Sequence, residues 1–372
     1  MIKTKNLYFD IAATTPLDLR VANHMHEINK DIYGNPSSIH QVGQKAHNII
    51  ERSRKKIAEI LHCKQSEIYF TSGGSESNNI ALRGVLSKGD HFITASYEHP
   101  AILEVAKYLE KNNIEVSYIN PNSDGVINPE DIKKEIKSNT KLVSIMAVNN
   151  EIGTINPIEE ISNICKNNKI YFHSDAVQYI GKREINLDTL NIDMLSLGAH
   201  KFYGPKGVGA IYIKSGIHIN PFIFGGGQEK GIRPGTENPG LISGMCHALE
   251  IAMKDFKKNS AHIKNMETLF FKLLNETKIN YKVNGNPRLD GMINITFFDY
   301  DGHSLLLNLD MKNIAISFGS ACASGSAKAS SALLSIGLQE EIANKTVRIS
   351  IGKQITDKNI YFLINTLKEI IQ

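Results

Sequence analysis

The stretch Ile170-Tyr-Phe-His-Ser-Asp-Ala-Val-Gln178 joins a short apolar run to a polar turn, and it indicates the kind of fold. The run Ile170–His173 is typical of a buried strand. Similar runs, separated by amphipathic helical segments, lie on both sides of it: Glu67–Thr71, His91–Ala95, Glu115–Ile119, Leu142–Val148, Met194–Leu197 and Gly209–Ile213. Strands that alternate with helices predict an α/β fold with a mostly parallel sheet, covered by helices on both faces. In such sheets the ligand lies at the carboxyl ends of the strands.

The helical segments between these strands have recognisable patterns. Gln44–Leu61 places its apolar side chains on one helical face. Asn128-Pro129 and Asn156-Pro157 each predict a capping asparagine followed by a proline in the first helical turn.

A Gly-rich stretch, Phe224–Gly240, interrupts the alternation. A long helical segment (241–272), strands near Met292–Phe298 and Thr346–Ile351, and a terminal helix follow it. We therefore predict a large domain over residues 15–250 and a smaller α+β domain formed by residues 1–14 and 251–372.

Composition excludes several classes of protein. The 372 residues include 42 basic and 38 acidic ones, so the net charge is only +4, without the dense basic block expected of a nucleic-acid-binding protein. No apolar run is long enough for a membrane span, and the N-terminus lacks the apolar core of a signal peptide. Four widely spaced cysteines, without a C-x-x-C pair, argue against a zinc site or a disulfide framework. We expect a cytoplasmic protein without a structural metal.

Two loops that follow predicted strands carry the first chemical signals. Thr71-Ser-Gly-Gly-Ser-Glu-Ser-Asn78 joins a strand to a helix, and its glycines and helix start suit an anion such as a phosphate. A tight turn with a serine cap would explain the same composition. Asp175, at the end of the predicted strand Ile170–His173, is either a helix cap or a ligand-binding carboxylate.

The loop Ser196-Leu-Gly-Ala-His-Lys-Phe-Tyr-Gly-Pro-Lys-Gly207 carries the third signal. Lys201 lies there between a histidine and a Gly/Pro-dense turn, where a lysine can form a Schiff base. A phosphate loop, a strand-end carboxylate and a strand-end lysine together match what pyridoxal phosphate requires: an anion site, an amine for its aldehyde and a partner for its pyridine nitrogen.

With these residues in place, the sequence resembles the class V aminotransferase group of fold-type I pyridoxal-phosphate enzymes, and within it the cysteine desulfurases of the NifS/IscS type. The resemblance runs nearly end to end, through blocks that include Tyr8–Pro16, Gly34–His40, Thr71–Asn79, Glu98–Pro100, Val148–Gly153, His173–Gln178, Ala199–Gly209, Gly225–Glu229, Arg233–Asn238, Gly319–Cys322 and Val347–Gly352.

The resemblance implies a role for each matching residue. Lys201 would form the Schiff base with pyridoxal 5′-phosphate, Asp175 would pair with the pyridine nitrogen, and His99 would stack on the ring and act in catalysis. Cofactor contacts would also come from Asn150 and Gln178 at the 3-hydroxyl, from Gly74, Ser75 and His200 at the phosphate, and from Thr236 of the other subunit of a homodimer. Arg348, with Asn150, would bind the carboxylate of the substrate, L-cysteine.

Cys322 would be the nucleophile that takes sulfur from L-cysteine as a persulfide, leaving L-alanine. Its segment, Gly319-Ser-Ala-Cys-Ala-Ser-Gly-Ser-Ala327, contains no large apolar side chain, and it predicts an exposed, mobile loop with a reactive thiol. Cys165, on an apolar helix face, is expected in the core, and Cys63 and Cys246 are expected to be structural.

The resemblance also implies a sulfur-acceptor protein, such as an iron–sulfur scaffold or a tRNA-thiolation carrier, and a possible role of Cys322 as a shared iron–sulfur ligand. Two departures stand out. Gly198 occupies the position of a usual Ser or Thr phosphate ligand, which Ser196 or the Gly198 N–H would replace, and the chain ends at Gln372 without the longer scaffold-docking tail of some relatives. The alternatives are a selenocysteine lyase or aminotransferase of the same fold, and a cofactor-free scaffold, which would need none of these residues.

Overall fold

The computed structural model describes residues 6–319 and 329–372. Its strands, in chain order, are β1 (Leu7–Tyr8), β2 (Ile68–Thr71), β3 (His91–Ala95), β4 (Glu115–Ile119), β5 (Thr140–Ser144), β6 (Tyr171–Asp175), β7 (Met194–Gly198), β8 (Gly209–Ile213), β9 (Tyr281–Asn284), β10 (Met292–Phe297), β11 (Ile314–Ala315) and β12 (Thr346–Ser350).

The α-helices, numbered in the same way, are α1 (Leu19–Asp31), α2 (Gln41–Leu61), α3 (Gly74–Val85), α4 (Pro100–Lys111), α5 (Pro129–Lys134), α6 (Ile158–Asn167), α7 (Pro239–Lys254), α8 (Phe256–Asn275), α9 (Gly302–Met311), α10 (Ser331–Ser335), α11 (Glu340–Ala343) and α12 (Asp357–Ile371). Within the described ranges, none of them is both long enough and apolar enough to cross a membrane.

A seven-stranded sheet forms the central layer, with the strand order β2-β8-β7-β6-β5-β3-β4. The pairs from β4 to β7 are parallel, whereas β8 runs antiparallel to both β2 and β7. Every residue of β3, β7 and β8 is buried, as expected of strands covered on both faces. The predicted α/β fold with a mostly parallel sheet is therefore confirmed.

A second apolar core lies around a three-stranded antiparallel sheet, β12-β10-β9. Helices α8, α9 and α12 contribute side chains to this core, and Phe9 joins them from the N-terminal segment. The N-terminal segment packs with this second core, because β1 pairs in parallel with β11 and Asp10 forms a β-bridge with Ser350. We retain the domain division given above as a prediction.

Three local expectations are wrong. The long helix expected over 241–272 is two helices, α7 and α8, separated at Asp255. The strand expected over Leu142–Val148 is β5, which ends at Ser144, although the next four residues remain buried. Asn128 caps α5 as predicted, but Asn156 does not cap α6, because its side-chain oxygen accepts hydrogen bonds from Tyr97 and Ile127 instead.

Candidate active site

A cavity of about 240 Å³ lies at the carboxyl ends of the central strands. It is lined by these sequence-predicted residues: Gly74, Ser75, His99, Asn150, Asp175, Gln178, His200, Lys201 and Arg348. They come from the ends of β2, β6 and β7, from the start of α4, from the segment after β5, and from β12 of the second unit. The topology thus brings residues separated by up to 274 positions, Gly74 and Arg348, into one site.

One corner of the cavity is the start of α3. This helix begins at Gly74, so the N–H groups of its first turn face the corner without partners in the helix itself. A Cβ atom on Gly74 would lie only 2.6 Å from Cγ2 of Val177, which also lines the cavity, so this position has no room for a side chain. The corner fits an anionic group held by backbone N–H donors.

His200 lines the same cavity, and its Nδ1 lies 3.1 Å from the hydroxyl of Thr14. Burial, together with the nearby charge of Lys201, lowers the pKa of His200 to about 4. The imidazole is therefore neutral near pH 7 and can offer an N–H to an anion.

Asp175 is the last residue of β6, and two hydrogen bonds fix its carboxylate. Oδ2 accepts from Nδ2 of Asn78 at 2.7 Å, and Oδ1 accepts from the backbone N–H of Val177 at 3.0 Å. The second bond is the turn-forming contact that an aspartate makes at the end of a strand. Because no helix lies between β6 and β7, the helix-cap interpretation of Asp175 is wrong. Because Asp175 also lines the cavity, the same carboxylate is available to a cationic ring nitrogen.

Lys201 ends a short 3₁₀ turn, Ala199–Lys201, directly after β7. Its Nζ donates to the backbone carbonyl oxygens of Ala12 at 2.6 Å and of Ala13 at 2.8 Å. The nearest alternative along the chain, Lys206, is exposed and does not line the cavity.

His99 precedes α4 and serves as its N-cap, with Nδ1 accepting from the N–H of Ala101 at 3.1 Å. Burial lowers the pKa of His99, an effect that the Asp175 carboxylate opposes and the Lys201 ammonium reinforces. Since a backbone N–H occupies Nδ1, the neutral ring carries its proton on Nε2.

Arg348 lies on β12, only 2% exposed, and two partners hold its guanidinium. Nη1 donates to the backbone oxygen of Asn150 at 2.6 Å, and Nη2 forms an ion pair with Asp10 at 2.6 Å. The buried Nε has no hydrogen-bond partner among the described residues. A fixed, buried guanidinium with an unused donor suits the recognition of a carboxylate.

Glu98 lies beside this site with its carboxyl buried. Its Oε1 accepts from the N–H of Met146 at 2.7 Å, while Oε2 has no partner among the described residues. Burial, together with the Asp175 carboxylate, raises the pKa of Glu98 well above its usual range.

The sequence argument missed Asn78, Asp10 and the carbonyl groups of Ala12 and Ala13. Asn78 closes the phosphate-loop motif, and the other three belong to the block Tyr8–Pro16, but nothing in the one-dimensional pattern says that the N-terminal segment reaches β6 and β7.

Three expectations remain outside the cavity. Thr236 is exposed and does not line it, and Cys322 lies outside the described residues. Ser196, considered as a substitute phosphate ligand, is fully buried and its hydroxyl pairs with Nε2 of His173 at 2.9 Å, so it does not take that role.

The donor set fits pyridoxal phosphate. A helix start and a neutral histidine lie at one corner, a lysine and a fixed carboxylate line the walls, and Oδ1 of Asn78, beside Asp175, is buried without a hydrogen-bond partner among the described residues. Within residues 6–319 and 329–372, no group of three or more His, Cys, Asp or Glu side chains could hold a metal ion.

Comparison with known proteins gives one consistent result. The aminotransferase class-V family matches residues 7–363. A cysteine desulfurase IscS from Dictyoglomus turgidum is 42% identical, over 99% of this chain and 95% of the relative. A solved NifS-like protein superimposes with a TM-score of 0.92 at 36% identity, covering 98% of this chain and 99% of that one. A structure described as SspA in complex with cysteine has a TM-score of 0.84 at 39% identity, covering 94% of this chain and 100% of that one.

Proposed function

This chain belongs to the aminotransferase class-V family, and from that premise we propose how its residues divide the work of the reaction. The protein is a pyridoxal 5′-phosphate-dependent cysteine desulfurase: it converts L-cysteine to L-alanine and transfers the sulfur to a cysteine side chain of its own. The observation that supports the proposed division is the single cavity shared by Lys201, Asp175, His99 and Arg348.

We assign the cofactor to this cavity. The start of α3, at Gly74 and Ser75, and His200 would hold its phosphate. Asp175, whose position Asn78 fixes through the 2.7 Å hydrogen bond, would pair with its pyridine nitrogen. Asn150 and Gln178 would contact the 3-hydroxyl, and His99 would lie against the ring. When bound, the cofactor supplies the electron sink that accepts charge from the substrate Cα.

Lys201 would provide the amine that holds the cofactor, and the same amine would move the proton at the substrate Cα. Its Nζ is held by the carbonyl groups of Ala12 and Ala13, at 2.6 and 2.8 Å, so the N-terminal segment orients the amine. An amine in a buried, hydrogen-bonded position is suited to take a proton and return it to the same site.

Arg348 binds the substrate carboxylate and thereby fixes which bond of the substrate faces Lys201. The ion pair with Asp10 and the contact with the Asn150 carbonyl remove the rotational freedom of the guanidinium before substrate arrives. His99, neutral and with its proton on Nε2, assists proton transfer at the substrate sulfur.

Cys322 is the nucleophile in this proposal. Its thiolate attacks the substrate sulfur and forms a new S–S bond, while the bond between that sulfur and the substrate carbon breaks. The electron pair of the broken bond stays with the substrate carbon, which takes up a proton and becomes the methyl group of alanine. The other cysteines do not suit this role, because burial raises the pKa of the thiols of Cys63, Cys165 and Cys246 to about 12 and so keeps them protonated.

Mass spectrometry of the protein treated with L-cysteine, without reductant, tests the assignment of the nucleophile. We expect one additional sulfur atom on the peptide that contains Cys322, and loss of persulfide transfer in Cys322→Ser while L-cysteine still changes the cofactor spectrum. The additional sulfur on Cys165 instead, or alanine formation at the normal rate by Cys322→Ser, would show the assignment to be wrong.

Borohydride trapping tests the lysine. Reduction of the purified protein is expected to bleach its yellow colour and to leave the cofactor covalently attached to Lys201. Lys201→Ala should form no such adduct and should have no activity. Lys206 is an exposed lysine five positions away, and Lys206→Ala should keep both the adduct and the activity. An adduct on Lys206 would contradict the assignment.

We also propose a homodimer in which Thr236 contacts the cofactor phosphate of the neighbouring subunit. Thr236 is exposed and lies outside the cavity of its own chain. Its segment is nevertheless fixed: Arg233 forms an ion pair with Glu76 of α3, and Glu229 forms a buried ion pair with Arg54. An anchored, exposed segment with a polar tip is suited to reach into a partner.

The persulfide sulfur passes to an acceptor protein, which we propose to be an iron–sulfur scaffold or a tRNA-thiolation carrier in the cytoplasm. The relatives' names specify the desulfurase reaction and do not favour a selenocysteine lyase or an aminotransferase. Sulfur transfer from the ³⁵S-labelled persulfide form to each class of purified carrier would distinguish the two acceptors.

A further inference from the structure

Lys182 is a half-buried lysine that the mechanism above does not use. It lies four residues after Gln178 in the connection between β6 and β7, and its Nζ donates to Oε1 of Gln178 at 2.7 Å. Among the described residues it forms no ion pair with a carboxylate. It lines a second cavity, of about 170 Å³, next to the active site; Lys353 lines this second cavity too, but it pairs with Asp18. An ion pair therefore does not account for the position of Lys182, whose amine is directed to the Gln178 amide.

The chemistry of the two side chains fixes the orientation of the Gln178 amide. A lysine ammonium has only donors, so the amide atom that faces it must be the oxygen, the atom that accepts from Nζ. The amide nitrogen then faces the other way, and Nε2 donates to the carbonyl oxygen of Ala12 at 2.7 Å, which is an acceptor as required.

The same carbonyl connects Lys182 to the reacting lysine. The oxygen of Ala12 also accepts from Nζ of Lys201 at 2.6 Å. A continuous hydrogen-bonded chain therefore runs from Lys182 through Gln178 and Ala12 to Lys201, and Gln178 and Lys201 both line the active-site cavity. Burial and the positive charges of Lys201 and Arg348 lower the pKa of Lys182 to about 7, which agrees with its position close to these cations.

We propose that Lys182 is a positioning residue that holds the Gln178 amide so that Gln178 meets the cofactor as a hydrogen-bond donor and never as an acceptor. Nε2 carries two protons, and Ala12 uses one of them, which leaves the other for the cavity. A donor at this position stabilises an anionic oxygen on the cofactor ring. This inference rests on the role proposed for Gln178 above, and it adds a residue that touches neither cofactor nor substrate.

The test compares Lys182→Met with Lys182→Arg, which keeps a donor-only cation and has the neighbouring cavity for its larger head group. Pyridoxal phosphate is titrated into each apoprotein, and the absorbance of the loaded protein is followed against pH without L-cysteine. We expect Lys182→Met to bind the cofactor about tenfold more weakly, the loss of one charge-assisted hydrogen bond. Its colour transition should move to higher pH, because an anionic ring oxygen is less stable, and Lys182→Arg should restore both values.

Two further variants separate positioning from a general effect on structure. Lys353→Met removes a partly buried lysine of the same cavity that has no link to Gln178, and it should leave both readouts unchanged. In a Gln178→Met background, Lys182→Met should have no further effect, since its influence passes through that amide. Lys182→Gln, whose amide can present either atom, should weaken binding by an intermediate factor and serves if Lys182→Met does not fold.

Equal behaviour of the folded Lys182 variants and Lys353→Met, or an undiminished effect of Lys182→Met in the Gln178→Met background, would overturn the inference. Wild-type protein that fails to bind pyridoxal phosphate would instead refute the proposed function. The two failures are therefore distinguishable.

Discussion

Nδ2 of Asn78 donates a 2.7 Å hydrogen bond to the carboxylate of Asp175, across 97 positions of sequence. Asn78 lies in the second turn of α3, whose first turn forms the anion corner, and Asp175 ends β6. In the proposed assignment, the bond couples the carboxylate that would pair with the pyridine nitrogen to the helix that would bind the phosphate. Both ends of the cofactor would then be held by directly bonded elements.

Replacement of Asn78 by Leu, a side chain of similar size, is expected to weaken cofactor binding by about tenfold, because a hydrogen bond to a charged group contributes about 1.5–3 kcal/mol. Titration of the apoprotein with pyridoxal phosphate measures this. Asn112→Ala, which removes an exposed asparagine that donates to Tyr108 on α4, is the control and should bind normally. Unchanged affinity in Asn78→Leu would show that Asp175 needs no such support.

Asp10→Asn is expected to raise KM for L-cysteine by about tenfold while kcat changes by less than about threefold, since the amide no longer pairs with the Arg348 charge. Steady-state sulfide release measures both constants. Asp18→Asn, which removes another ion-paired carboxylate of the N-terminal region, should change neither. A fall in kcat without a change in KM would place Asp10 in a different role.

Gly198→Ser is expected to tighten cofactor binding by a few-fold. A Cβ at this position would lie 3.7 Å from the N–H nitrogen of Gly74 and 3.4 Å from Cγ1 of Val177, which are ordinary contacts, and the backbone there is extended. The new hydroxyl would therefore lie near the phosphate corner without displacing its neighbours. Gly74→Ser, which would clash with Val177 at 2.6 Å, is expected to weaken binding instead.

His173 makes the stability of the apoprotein sensitive to acid. It is fully buried between the hydroxyls of Ser144 and Ser196, and burial lowers its pKa from 6.5 to about 3. Between these two values the unfolded chain binds a proton that the folded chain does not, so the free energy of unfolding falls as pH falls. The slope is about 1.4 kcal/mol per pH unit for this one proton.

Urea unfolding at several pH values between 4 and 7 tests this contribution. His173→Gln has no titrating group at this position, so its free energy of unfolding should fall less steeply on acidification than that of the wild type. The difference between the two slopes should be about 1.4 kcal/mol per pH unit, and it does not depend on the stability of the variant at pH 7. His26→Gln, which changes an exposed histidine, should keep the wild-type slope. Parallel curves for wild type and His173→Gln would contradict the assignment.

Thr236→Ala is expected to weaken cofactor binding by a few-fold without affecting assembly, as the loss of one hydrogen bond to the phosphate predicts. Analytical ultracentrifugation and cofactor titration measure the two properties. Mixed dimers of Thr236→Ala with Lys201→Ala chains should contain one site with both defects and one with neither. Monomers with full activity at high dilution would refute the shared site.

The sequence by itself determined the fold class and most of the site. Period-two and apolar runs with helices between them specify a parallel sheet, because only that arrangement buries such strands on both faces. Polar residues that follow these strands, such as Asp175 and Lys201, had to meet at one edge, since the carboxyl ends of parallel strands lie together. These inferences need only local periodicity and one rule of topology.

Tertiary structure alone decided which groups hold those residues in place. Asp10 and Asn78 make their contacts across 338 and 97 positions, and no pattern along the chain distinguishes them from surface residues. The break at Asp255 and the position of Asn156 were also set by packing. Such features depend on the distance between elements that are remote in sequence, and a hydrogen bond is lost within less than an ångström of displacement.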